Sequence, residues 1–174
     1  VTRIVRALVS ATLVTAVCAA GCAGPSTFVS SAPPPDIEAH AWFRSGVPAV
    51  RGAVARAMVE NGLPVDEAAS GPRLLVASRQ QVPHVRGAAA PAPGPLPTYT
   101  LTARLSPAGG THVEATVKVD CPSCDGASAY EWEYPGDIVR GVFRTAAKML
   151  GERSPRFQYP PRFRPARWHP PPPR

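Results

Sequence analysis

Cys121 and Cys124 bracket Pro122 and Ser123 in the stretch "DCPSCDG", in a chain of 174 residues that holds 4 cysteines. Two thiols at this spacing can do three kinds of chemistry. They can cycle as a redox couple, supply half of a zinc site, or close a disulfide across a turn. A redox couple needs the motif at a helix N-terminus, where the helix dipole lowers the first thiol's pKa. The residues that follow, "DGASAYEWEYPGD", carry no helical pattern. Zinc needs two further ligands, and the candidates His40, His84, His112, His169 and Cys22 show no paired spacing. Pro122-Ser123 favours a turn, so the expectation is a structural disulfide worth about 2 kcal/mol by chain entropy. Oxidation of so close a pair presupposes a compartment outside the cytosol.

Other chemistry-bearing residues are sparse. Glu131 and Glu133 alternate with Trp132 and Tyr134, a pattern that suits carbohydrate contact. It suits better a strand with packed aromatics and solvated carboxylates. His112 near Glu114 reads as surface decoration. The chain has no glycine-rich phosphate loop, no G-x-S-x-G and no H-E-x-x-H, the motifs that position phosphate, a serine nucleophile or catalytic zinc. No catalytic residue, cofactor or metal site is expected. A ligand-binding face would instead show Trp42, Tyr99 and Trp132 exposed together on one side of a sheet.

The compartment is written in "VTRIVRALVSATLVTAVCAAGCAGPS". Arg3 and Arg6 form a short basic segment, and Ala7 to Ala20 an uncharged apolar run. At about 1.5 Å per residue that run reaches roughly 21 Å, short of a bilayer's ~30 Å core. An export signal fits better than a spanning helix. Ala19-Ala20-Gly21 then lead into Cys22, which resembles the lipobox of bacterial lipoproteins, with Ala19 where leucine is commonest. The resemblance implies cleavage after residue 21, lipidation of Cys22, and membrane attachment through that lipid on the extracytoplasmic side. Ala23, in place of an aspartate, resembles the pattern for the periplasmic face of an outer membrane.

Charge is distributed unevenly. The formal net charge is +7, yet between Ala23 and Glu152 there are 11 basic and 12 acidic residues. From Arg153 onward arginines stand at 153, 156, 162, 164, 167 and 174 with no acid among them. The basicity therefore belongs to a tail over 153–174, which ends in "PPPPR" and favours extended polyproline II. Arginine forks pair with phosphate and carboxylate. Arg156, Arg162, Arg164 and Arg167, with Trp168, are the expected contacts to an anionic envelope partner: an envelope protein, an acidic glycan or the cell wall. Nucleic acid is not expected outside the cytosol.

These features hang on a small set of elements. Residues 22–36 read as a flexible tether and 37–152 as one domain. The proline-rich loop 83–97 interrupts it, since proline supplies no amide donor and fixes its own φ. In "IEAHAWFR", Ile37, Ala39, Ala41 and Phe43 alternate with Glu38, His40, Trp42 and Arg44, which predicts a half-buried strand. Ser45 is placed to cap a helix over 46–61, striped by Val47, Val50, Val54 and Met58 and stopped at Asn61-Gly62. "LPVDEAA" and "RLLVASRQ" predict one hairpin, and "TYTLTARL" and "THVEATVKV" a second across Ser106 to Gly110. Asp137 is placed to cap a closing helix with Val139, Val142, Phe143, Ala146 and Leu150 inward. The predicted class is α+β: an antiparallel sheet of about 4–5 strands, two helices on one face, in the order β-α-β-β-β-β-α.

The run "AWFRSGVPAVRGAVARAMVENGLPVDEAASGPRLLVASRQ" places an aromatic before a helix, then a glycine turn, a strand, a glycine turn and a strand. It resembles the start of small envelope lipoprotein domains of the BamC type, a resemblance that covers about residues 45–120. The resemblance implies an accessory or scaffold lipoprotein without catalytic residues. The expected function is thus a non-enzymatic binding or assembly module. The alternative is a thiol-disulfide redox or sensor protein acting through Cys121 and Cys124.

Overall fold

The structure is a computed structural model that describes residues 27–81, 84–85, 96–122, 124, 130–153 and 155–160. Its class is α+β. The main sheet is antiparallel and five-stranded, built from β2 (Ile37–Phe43), β3 (Leu74–Gln80), β5 (Thr98–Pro107), β6 (Thr111–Asp120) and β8 (Arg156–Gln158) in the spatial order β3-β5-β6-β2-β8. A second sheet has the order β1-β7-β4, from Thr27–Ser30, Tyr130–Glu133 and His84–Val85. Two helices, α1 (Val47–Glu60) and α2 (Pro135–Met149), pack on each other and on one face of the main sheet.

Period-2 alternation decides which face that is. Ile37, Ala39, Ala41 and Phe43 are buried, as are Tyr99, Leu101, Ala103 and Leu105, and Val113, Ala115 and Val117. The register aligns Ala39 with Ala115 and Ala103 in one row across three strands. Alanines there, matched by Ala53 and Ala57 of α1 and Ala146 and Ala147 of α2, let the helices approach the sheet closely. Larger side chains, among them Leu101, Leu105, Phe43 and Phe143, fill the flanks.

The helix ends show where local chemistry departs from expectation. Gly46, not Ser45, is the N-cap of α1 and makes no side-chain bond. The Ser45 hydroxyl is drawn instead to the Glu152 carboxylate at 3.0 Å, which also accepts the Arg44 amide at 3.0 Å and the Ser45 amide at 3.1 Å. Asn61-Gly62 does stop the helix: Gly62 takes φ 74°, and the Leu63 amide reaches back to the Met58 carbonyl at 2.9 Å. Helix α2 starts two residues before the expected Asp137, because Pro135 has the φ that a first helical turn requires. Asp137 lies inside that turn and pairs with Arg140 at 2.7 Å.

Three boundaries also move. Residues 63–69 do not form a strand: Pro64 has no amide to donate, and the Asp66 carboxylate accepts the Ala68 and Ala69 amides at 3.0 and 3.1 Å, folding the backbone into a turn. Only a Val65–Ala77 bridge remains, so β3 pairs with β5 and not with this segment. Thr27–Ser30, within the expected tether, forms β1, because Phe28 opposite Trp132 adds apolar area to the core. The proline-rich loop contributes β4, and the first part of the tail contributes β8, whose Phe157 stacks on Phe143 at 5.8 Å. Residues 161–174 lie outside the described residues.

The second hairpin matches expectation and explains its glycines. A Cβ on Gly110 would come within 2.2 Å of the Phe43 carbonyl oxygen, at φ 149°. Only glycine fits that approach.

Candidate functional site

The face of the main sheet opposite the helices carries Glu38, His40 and Trp42 of β2, His112 and Glu114 of β6, Arg104 and Ser106 of β5, and Arg156 of β8. Register sets their neighbours. Trp42 lies across from His112 on one side and Arg156 on the other, and His40 lies across from Glu114 and Gln158.

From these pairings grows a continuous row of rings. His112 stacks on Trp42 at 4.9 Å, and the Arg156 guanidinium carbon sits 4.9 Å from the Trp42 ring centre. His40 Nδ1 and His112 Nε2 are 3.2 Å apart. At the row's ends, His40 Nε2 meets Glu38 Oε1 at 3.0 Å, and Ser106 Oγ meets His112 Nδ1 at 3.5 Å. A carboxylate only accepts, so in the neutral tautomer whose His40 Nε2–H donates to Glu38, His40 Nδ1 is the acceptor for His112 Nε2–H. His112 Nδ1 is then the acceptor facing the Ser106 hydroxyl.

Of the residues singled out from sequence, Cys121 and Cys124 are joined as a disulfide with Cα atoms 5.5 Å apart, and both are half-buried against the core. The Cys124 amide donates to the Cys121 carbonyl at 3.2 Å, a turn at the end of β6. Arg156 lies on the open face. Cys22, Arg162, Arg164, Arg167 and Trp168 lie outside the described residues. The exposed cluster of Trp42, Tyr99 and Trp132 that a ligand-binding sheet face would show does not form. Tyr99 and Trp132 are each 1% exposed, because Tyr99 shares the helix-facing parity of Leu101 and Trp132 is covered by β1.

The carboxylate at Glu133 was expected in solvent and is buried instead. It pairs with Arg79, whose guanidinium also donates to the Asn61 carbonyl at 3.3 Å. Burial pushes the Glu133 carboxyl above its ordinary range, while Arg79 pulls it back down and Asp137 pushes it up. The Tyr99 hydroxyl accepts the Glu133 amide at 3.2 Å, and burial pushes its pKa up to about 12. Placed between β3, β5, β7 and the end of α1, this group ties the two sheets together; it is a structural lock. Among the described residues a shallow cleft of about 710 Å³ opens between Val47, Pro48, Arg51, Gly71, Pro72 and Arg73. Arg51 Nε is committed to the Gly71 carbonyl at 2.9 Å.

Comparison of the chain with protein-family models, with curated proteins and with solved structures finds no match in any of the three. Among the described residues no helix is long and apolar enough to cross a membrane.

Proposed function

We propose that this protein is a non-enzymatic, lipid-anchored module of the cell envelope, a small binding or assembly domain that contacts an anionic envelope partner through its arginine-rich C-terminal segment. The observation that carries the reading is the seat of Arg156. Strand β8 adds to the edge of the main sheet, with Arg156 over Trp42 and Phe157 packed against the core. The basic segment therefore follows directly in sequence on an edge strand of the main sheet. Arginines 162, 164 and 167 follow within a few residues, and proline limits the ordering cost when such a segment binds.

Anchoring at Cys22 gives the domain a short leash. Residues 23–26 are all that separate Cys22 from β1, and a chain of that length reaches about 15–18 Å at full extension. A domain so held works within a few tens of ångströms of the membrane.

The test is a pull-down of the detergent-solubilised protein, full-length against a chain ending at Pro160. Ending there keeps β8 and its aromatic packing, so the comparison isolates the arginines. Full-length protein is expected to retain partners that elute as salt rises, since exposed charges are screened over about 8 Å at physiological strength. An unchanged set of partners from the shortened chain would refute the reading.

A further inference from the structure

His40 and His112 are separated by 72 positions in sequence, yet their rings meet on the open sheet face. We propose that His40 Nδ1 and His112 Nε2 form a two-imidazole site for a divalent first-row cation, with copper(II) held most tightly and nickel and zinc less so.

The spacing is that of two ligands on one ion. With metal–nitrogen bonds of about 2.0–2.1 Å, ligands subtending roughly 90–110° lie about 2.9–3.4 Å apart, and the two nitrogens are 3.2 Å apart. The outer atoms of both rings are already held. In the neutral ring the His40 Nε2–H donates to Glu38, and Nδ1 keeps its lone pair. Ser106 stands at His112 Nδ1. Carboxylate and hydroxyl partners of this kind set the tautomer and orientation of metal-binding imidazoles.

Binding balances without a redox step. The proton that His112 carries on Nε2 moves to Nδ1, and the Ser106 hydroxyl turns from donor to acceptor. Both facing nitrogens then hold lone pairs, and the rings lie 15° from parallel. A tilt of each ring, with the exposed Glu38 and Ser106 side chains following it, turns the lone pairs toward one point on the solvent side. Among the described residues no set of three His, Cys, Asp or Glu converges, so water completes the coordination. The carboxylates of Glu38 and Glu114 share the face with the cations Arg104 and Arg156, leaving the local field near balance. Imidazole pairs favour copper, nickel and zinc, and the order among them follows the general stability series.

The inference does not depend on lipidation or on the tail. The test is calorimetric titration of the full chain in detergent with Cu²⁺ and with Zn²⁺, and electron paramagnetic resonance of the copper form. One equivalent with nitrogen coordination is expected. H40Q and H112Q should each weaken binding at least tenfold, and E38Q several-fold. The double variant H84Q/H169Q should leave it unchanged, which controls for the remaining histidines. Equal binding by wild type and H40Q/H112Q, or loss on H84Q/H169Q, would overturn the proposal. A circular dichroism melt of each variant confirms that the fold is kept.

Discussion

Arg156 and Trp42 face each other across the β2–β8 register, with the guanidinium carbon 4.9 Å from the indole ring centre. The contact lies on the exposed side of the sheet. On the opposite side of β8, Phe157 meets Phe143 and Phe43 at 5.8 and 6.3 Å. A three-residue edge strand is thus gripped from both faces. An exposed cation–π pair is worth about 0.5–1 kcal/mol, and the half-buried phenylalanine more. R156A is expected to speed tryptic cleavage after Arg153 several-fold with little change in global stability. F157A should both speed cleavage and lower stability by about 2–3 kcal/mol. Equal cleavage of R156A and wild type would show that the Trp42 contact holds nothing.

The N-terminal strand makes a second test of where the domain begins. A chain starting at Thr27 keeps Phe28 over Trp132 and the Trp132 Nε1–H bond to the Ser30 carbonyl at 3.0 Å. A chain starting at Asp36 loses both and uncovers an otherwise buried tryptophan. The shorter chain is expected to be at least 2 kcal/mol less stable in urea, with its tryptophan emission shifted to the red. Matching denaturation curves would restore the view of 27–30 as mere tether.

Glu133 makes a prediction with a definite sign. Its carboxyl is raised by burial, so the folded state takes up a proton at a higher pH than the unfolded chain does. The cost of ionised Glu133 is full above the raised folded value. It is relieved as pH falls through that value and is gone below the ordinary carboxylate range near ~4.3. Relative to E133Q, wild type should gain stability as pH is lowered from 7 toward 4, measured by calorimetric melts. At neutral pH E133L alone leaves Arg79 without its charge partner and should cost about 1–3 kcal/mol. The pair R79M/E133L should recover much of that loss, since replacing both members of a buried ion pair removes the unpaired charge.

The disulfide has a bounded role. C121A/C124A should cost about 2 kcal/mol or less while leaving retained partners unchanged. Its reduction potential should lie below about −300 mV, as for structural bonds. A more oxidising value, with loss of partners on reduction, would favour the thiol-redox alternative.

Much of this fold is legible in particular residues. The alternation in "IEAHAWF" gave the strand and both its faces, Asn61-Gly62 ended the first helix, and Gly109-Gly110 closed the second hairpin. What stayed hidden was non-local. Glu133 looked like one of two solvated carboxylates until Arg79, from a strand 54 positions away, was brought against it. Gly141 gave no hint that α1 crosses there, where a Cβ would sit 2.5 Å from Asn61 Oδ1. Phe28 and Phe157 stood in proline-rich surroundings that read as tether and tail; their partners on β7 and α2 draw both into the domain. The His40–His112 pair has no paired spacing along the chain, because the sheet register and not local sequence unites it.

The proposed envelope anchoring depends on attachment of lipid to Cys22, which one measurement tests directly. Cells expressing the native chain or C22S are fed an alkyne fatty acid, and the purified protein is examined by intact-mass spectrometry. The native chain is expected to have lost residues 1–21, to carry acyl label at its new N-terminus, and to fractionate with membranes, while C22S carries no label. An unlabelled native chain that retains residues 1–21 and fractionates with the cytosol would contradict the account.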